Sequence, residues 1–174
     1  MMEYNFTLKY RLSDEDRDAD ALMERLGEAG CTDALVGIGI VGRLALEFTR
    51  EAESAQIAVR SALEEVKAAI PSAELVEVLP DFVGLTDVAE IVGVSRQGMR
   101  KLMLTNGDFP LPVHEGSASV WHLADVLAWL DGRKGYAPDQ ILRETASAAL
   151  EVNVAKEARR YAPETIREID RLIA

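Results

Sequence analysis

The stretch from Gly84 to Trp129, GLTDVAEIVGVSRQGMRKLMLTNGDFPLPVHEGSASVWHLADVLAW, leaves the chain few ways to fold. Gly93 interrupts a helical apolar pattern early, at a point where a positive φ costs glycine nothing. The pattern therefore predicts two short helices joined by a tight turn, Asp87–Val92 and Arg96 to about Leu104, with Thr86 and Ser95 as their caps. Asp87 sits where the first helix dipole favours an acid, and Val94 acts as a buried staple between the helices. Val88, Ala89, Val92, Val94, Met99 and Leu102 supply the shared apolar side, which leaves Arg96, Gln97, Arg100 and Lys101 outward. Four donor-bearing side chains on one short helix fit a recognition helix, whose N-terminal residues reach base edges while its bases grip phosphate. They fit a helical hairpin with a solvated face equally well.

The next segment favours the first reading. Asn106-Gly107 turns the chain, and Phe109–Val113 is extended because each proline restricts the residue before it. Glu115-Gly116-Ser117 makes a turn, Ser119-Val120-Trp121 returns as a second strand, and His122–Leu130 closes the unit as a helix. The series LTDVAEIVGVSRQGMRKL, then FPLPV, a glycine, a tryptophan and DVLAWL resembles the MerR-like winged helix-turn-helix group, in its branch of AlpA prophage regulators and excisionases. The resemblance covers about 46 of 174 residues, and its spacing is far more specific than a bare helix-turn-helix pattern.

The resemblance implies sequence-specific binding of double-stranded operator DNA, as a homodimer or higher homo-oligomer or on repeated sites. It puts Ser95, Arg96, Gln97, Arg100 and Lys101 in the major groove or on its phosphates, with Thr86 among the contact residues. The wing, His114 to Ser119, would lie against the adjacent backbone or minor groove. Such wings usually carry arginines, whereas HEGSAS has none and includes Glu115, which limits wing contact to His114, Ser117 and Ser119. The spacing of Trp121 and Trp129 reads as core rather than as base-stacking, and His122 reads as structural.

Upstream, EYNFTLKYRL (3–12) alternates with period two and predicts a half-buried strand. A helix capped by Ser13 or Asp14 follows and stops between Gly27 and Gly30. Residues 33–42 and 43–51 read as two strands with Val41-Gly42 as their hairpin turn, 54–70 as a helix ended by Pro71, and 73–80 as a short strand. That order predicts an α+β chain in three parts. A ferredoxin-like βαββαβ domain over residues 1–80 serves dimerisation or sensing, and Pro80–Gly84 links it to a winged helix-turn-helix domain over 84–131. A helical tail follows over 136–174, after a hinge-like stretch from Asp131 to Gly135. In that tail Ile141, Leu142, Ala146, Ala149, Leu150, Val152, Val154 and Ala155, then Ile166, Ile169 and Leu172, repeat at helical spacing. They suit packing on the body or on a twin subunit.

Charge constrains the function. The net charge of −11 opposes indiscriminate nucleic-acid binding, since phosphate neutralisation supplies most non-specific affinity. The acids are concentrated upstream: residues 1–80 carry 16 acids and 8 bases, residues 81–134 carry 7 and 5, and residues 135–174 carry 7 and 6. An acidic body with one locally basic helix suits a regulator better than a packaging protein. The chain has no long apolar run and no secretory leader pattern, so it reads as cytoplasmic with no membrane contact. The acidic run from Asp14 to Asp20 reads as a solvated helix start, Gly37, Gly39 and Gly42 as a strand kink with a hairpin, and Cys31 as a small buried residue. No metal spacing, phosphate loop or nucleophile–base pair is present, so neither a metal, a cofactor nor an enzymatic activity is expected. The competing reading is an antitoxin-like or adaptor protein. It would grip a partner protein encoded nearby through its acidic N-terminal domain or helical tail and autoregulate its operon. A small-molecule effector of the first domain stays open.

Overall fold

Period-two alternation sets which face of the sheet is buried. In the computed structural model, which describes residues 1–174, β1 (Met2–Arg11) turns Tyr4, Phe6, Leu8 and Tyr10 inward and leaves Glu3, Asn5 and Arg11 exposed. β3 (Arg43–Ala52) does the same with Leu44, Leu46 and Phe48, and the antiparallel register sets Phe6 opposite Phe48 with their rings stacked at 5.1 Å. The strand order is β2-β3-β1-β4, every neighbour antiparallel, with β2 at Ala34–Gly37 and β4 at Glu74–Leu79. Two helices, α1 (Ala19–Glu28) and α2 (Ala55–Ala69), cover the inward face; α2 does so with Ala55, Ala58, Val59, Ala62, Val66 and Ala69, mostly small residues that let it lie close. The chain is thus α+β, and its first part follows the element order read from the sequence.

Several boundaries differ from the expectation. Neither Ser13 nor Asp14 caps α1. Residues 13–16 form a turn of their own, and Asp18 caps the helix by accepting the Asp20 and Ala21 N–H groups at 3.1 and 3.2 Å. The expected strand over 33–42 pairs only as far as Gly37. Residues 38–42 loop away, and Gly42 turns back to β3 with φ +73°.

The inward face carries one charge. Arg50 on β3 is buried and forks onto Asp33 at 2.7 and 2.8 Å, with further bonds to Glu65 (2.6 Å) and Ser61 (2.8 Å) on α2. Cys31 lies buried beside this cluster, and burial next to Glu65 pushes its thiol up to about 12, which keeps it protonated at neutral pH.

The segment expected as a linker is part of the packed structure. Asp81 is 1% exposed, and Phe82–Val83 forms β5, which pairs antiparallel with β6 (Trp121–His122). α3 (Leu85–Val92), α4 (Arg96–Thr105) and α5 (Leu123–Asp131) pack on this ribbon around Val88, Met99, Trp121, Leu123 and Leu127. The tail then splits. α6 (Gln140–Ala158) contributes Ala148 and Ala149 to the sheet core and Ala146 to the second core, whereas α7 (Pro163–Ile173) buries no residue. Val154 and Ala155, expected on the packed stripe, face solvent.

α6 also closes one edge of the sheet. The outward N–H and C=O of Val78 on β4 meet the side-chain amide of Asn153 at 2.9 and 2.8 Å, and Lys156 donates to the Val76 carbonyl at 2.7 Å. The Asn153 amide donates as well to Asp81 at 2.7 Å, and the other Asp81 oxygen lies 2.6 Å from His122 Nδ1. Asn153 is 2% exposed, so removing it strands buried groups. Asn153→Ala should therefore destabilise the chain by about 3 kcal/mol. The isosteric Asn153→Asp should cost at least as much, because it turns an acceptor toward the Asp81 carboxylate and the Val78 carbonyl. Urea denaturation of the two variants tests this.

The Arg50 guanidinium holds the Asp33 carboxyl below its ordinary range. A depressed folded pKa contributes stability that is fully present above the unfolded value of about 3.9 and is lost as pH falls through the folded one. Thermal midpoints recorded between about pH 7 and about pH 3 should accordingly fall less steeply for Asp33→Asn than for the native chain, while the variant starts lower at neutral pH.

Candidate nucleic-acid interface

α3 and α4 are held at a tight turn by backbone chemistry that the sequence supplies locally. Gly93 takes the left-handed conformation (φ 73°, ψ 32°), and its N–H reaches back to the carbonyls of Ala89 and Glu90. Ser95 then caps α4, its hydroxyl accepting the Gly98 N–H at 3.0 Å. Thr86 is not the cap of α3. Gly84 holds that position, its N–H donating to the Asp87 carboxylate at 2.7 Å, and Thr86 is exposed one residue inside the helix. With α3 starting two residues earlier than expected, the hydroxyl of Thr86 is free of capping duty.

The wing is a narrow hairpin. Val120 and His114 pair across it (2.7 to 3.3 Å between their backbones and that of Val113), and residues 115–119 form its tip. Gly116 leaves room for the imidazole of His114, which folds back over the turn: a Cβ at this position would stand 2.6 Å from His114 Nε2 and make the ring move aside. The base of the hairpin is set by Trp121, whose indole N–H donates to the Pro110 carbonyl at 3.0 Å, and by Phe109, which meets Trp121 and Trp129 edge-on. Both tryptophans therefore pack as structure. Arg133 lies over the Trp129 ring at 3.5 Å and pairs with Asp108, so the stretch expected as a hinge is anchored.

α4 and the wing enclose an open cleft of about 390 Å³. It brings together Thr86 from α3, Arg96 and Arg100 from successive turns of α4, and Ser117 and Ser119 from the wing. Gln97 and Lys101 are exposed on the adjoining strip of α4 outside this cleft, Ser95 stands at the head of the helix, and His114 lies outside the lining. Asp87 is in the cleft as well, its charge directed at the Gly84 N–H and the N-terminal end of α3. Sequence reasoning did not place Met103 in the floor of the cleft, although its spacing three residues after Arg100 carries that signal.

Arg43, Arg60, Lys67, Lys134, Arg159 and Arg171 have no carboxylate partner but are spread over different elements, whereas α4 gathers three unpaired bases on one short helix. Lys9, Arg11, Arg17, Arg25, Arg50, Arg133, Arg143, Lys156, Arg160 and Arg167 each pair with a carboxylate. Arg96, Arg100 and Lys101 pair with none and point outward within one and a half turns of helix. No group of three or more His, Cys, Asp or Glu side chains converges as a metal site.

A side chain at position 93 meets no atom within 4 Å, so its penalty is conformational alone. Gly93→Ala should destabilise the chain by about 1 kcal/mol through the left-handed backbone, measurable as a lowered urea midpoint with an unchanged m-value.

No protein-family model, no curated protein and no solved structure matches this chain.

Proposed function

We propose that the chain is a sequence-specific DNA-binding transcriptional regulator of the cytoplasm, not an enzyme, that reads a double-stranded operator as a homodimer or higher homo-oligomer through α4. The observation that carries this reading is the set of three unpaired cations gathered on α4, beside a cleft shared with the wing, while the other unpaired bases are dispersed over the chain. Two short helices at a glycine turn, a hairpin with a turn at Gly116 and the small β5–β6 ribbon support a winged helix-turn-helix unit. The antiparallel order β2-β3-β1-β4, with both crossover helices on one face, supports a ferredoxin-like first domain that pairs subunits or senses a signal.

In this reading Arg96 and Gln97, at the N-terminal end of α4, meet base edges, and Arg100 and Lys101 meet phosphates. Thr86, Ser117 and Ser119 add neutral phosphate donors from either side, and Ser95 contributes its remaining hydroxyl proton. His114 is the weakest member, since its ring is folded over Gly116.

A second reading is favoured by α7. An isolated helix of 11 residues is marginal in water, yet α7 buries nothing and exposes Ile166, Ile169, Leu172 and Ile173. That face fits an antitoxin-like or adaptor protein that grips a protein encoded nearby and uses DNA binding for autoregulation. Co-purification of such a protein with the full chain, lost on truncation after Tyr161, distinguishes the two.

Selection of bound sequences from a random duplex pool should yield a defined site. On that site, Arg96→Ala and Gln97→Ala should each lose about 1–3 kcal/mol of base discrimination. Arg100→Ala and Lys101→Ala should weaken all sequences alike and reduce the salt slope by about 1 each. Absence of any selected sequence, and of a footprint on the gene's own promoter at low salt, overturns the reading.

A further inference from the structure

We infer that the uncovered face of the four-stranded sheet holds a small amphipathic anion, an apolar body with a carboxylate or phosphate head. The inference does not depend on the DNA reading. The register lays the row Gly37, Ala45, Lys9, Glu77 across β2, β3, β1 and β4 on this face. Two neighbours in that row have no side chain beyond a methyl, so the sheet has a depression there, walled on one side by Ile40 of the β2–β3 loop and on the other by Val76. The resulting concavity measures about 500 Å³ and is lined mainly by apolar atoms. That volume matches a small-molecule site.

Among the charged residues that line the depression, Lys9, Arg43 and Glu77, the bases outnumber the acid; Glu47, two residues past Ala45 on the same face, lies outside the lining. Lys9 pairs with Glu77 at 2.9 Å, and Arg11 pairs with Glu74. Arg43 sits directly opposite Arg11 in the β1–β3 register and has no carboxylate partner. Like charges set opposite each other across strands are destabilising. An anion seated over Ala45 with its head on Arg43 relieves that repulsion, while its apolar body covers the Lys9 stem and Ile40, a residue otherwise 71% exposed. The ligand chemistry follows from this pairing of one uncompensated guanidinium with an apolar floor.

Titration of the full chain with 1-anilinonaphthalene-8-sulfonate, an apolar anion whose fluorescence reports burial, tests the inference. One saturable site should be found. Its affinity should fall about tenfold in Arg43→Ala, further in Arg43→Glu, and be lost in Ala45→Leu, which fills the depression. Ala45 and Arg43 lie on the open face, and thermal midpoints of the variants confirm that they fold. Displacement of the probe by hexanoate assigns a carboxylate head, and displacement by hexyl phosphate assigns a phosphate head. Probe binding unchanged in Arg43→Glu and Ala45→Leu overturns the site, as does displacement by neither competitor. Equal binding of the neutral analogue N-phenyl-1-naphthylamine to native chain and Arg43→Ala, with the native affinity of the sulfonate no greater, overturns the anionic character.

Discussion

The buried carboxylate of Asp81 is the constraint on which the arrangement of this chain depends. A charge removed from water must find partners, and removing one of them costs far more than forming it returns. Asp81 finds its partners in two elements distant in sequence: the Asn153 amide of α6 and the His122 ring at the head of α5. Its backbone carbonyl accepts the Leu123 N–H at 2.7 Å. Asn153 in turn stands in for a fifth strand, giving β4 the donor and acceptor that an edge lacks. One short network thus ties the sheet, the β5–β6 ribbon, α5 and α6 together. Alanines of α6 fill both cores on either side of it. Because each member is satisfied only when the others are present, the segments dock as a unit. The orientation of α4 relative to the sheet is inherited from this junction.

The elements were legible where local physics decides them. Alternation in β1 and β3, the helix α2, the cap Ser95 and the turn at Gly93 all follow from spacing and backbone preference. Of the candidate contact residues, Arg96, Arg100, Ser117, Ser119 and Thr86 meet around one cleft, and the outward strip of α4 was read from the same periodicity. What could not be read depends on partners far along the chain. Ser13 has the chemistry of a cap, yet the acids that follow offer several competing turns, and Asp18 wins. Residues 38–42 have the composition of a strand, but they are the connection from β2 to β3, past the last pair at Gly37 and Ala45, and have no strand to pair with. Asp81 reads as a linker acid and Asn153 as a polar interruption of a helical stripe. Only their meeting, 72 positions apart, explains either.

Charge separation gives the molecule its second organising rule. Acids of the sheet domain hold most of that domain's own bases, and Arg50 is drawn fully inside with two carboxylates. The outcome is an acidic body with three unpaired bases gathered on one helix, α4. In the proposed function, release of counterions by the two phosphate contacts of Arg100 and Lys101 corresponds to a salt slope of roughly −1.8, small beside that of a regulator making 6–10 such contacts. Non-specific affinity for DNA is therefore weak, and long dwell on random sequence is disfavoured. A wing without arginine, carrying Glu115, and an acid at Asp87 inside the cleft push in the same direction.

If α4 reads DNA as proposed, it must gain its affinity from base contacts and from repetition. Two copies double the slope to about −3.6 and convert the second contact into an intramolecular one at high effective concentration. Specificity is then expressed as the difference between a site that both copies fit and any site that only one can. The same logic explains why α4 has to be held rigidly: with few contacts to average over, a misplacement of the helix loses a large share of the binding energy. The satisfied junction at Asp81 and Asn153 supplies that rigidity from within the fold, before any second copy or DNA is present.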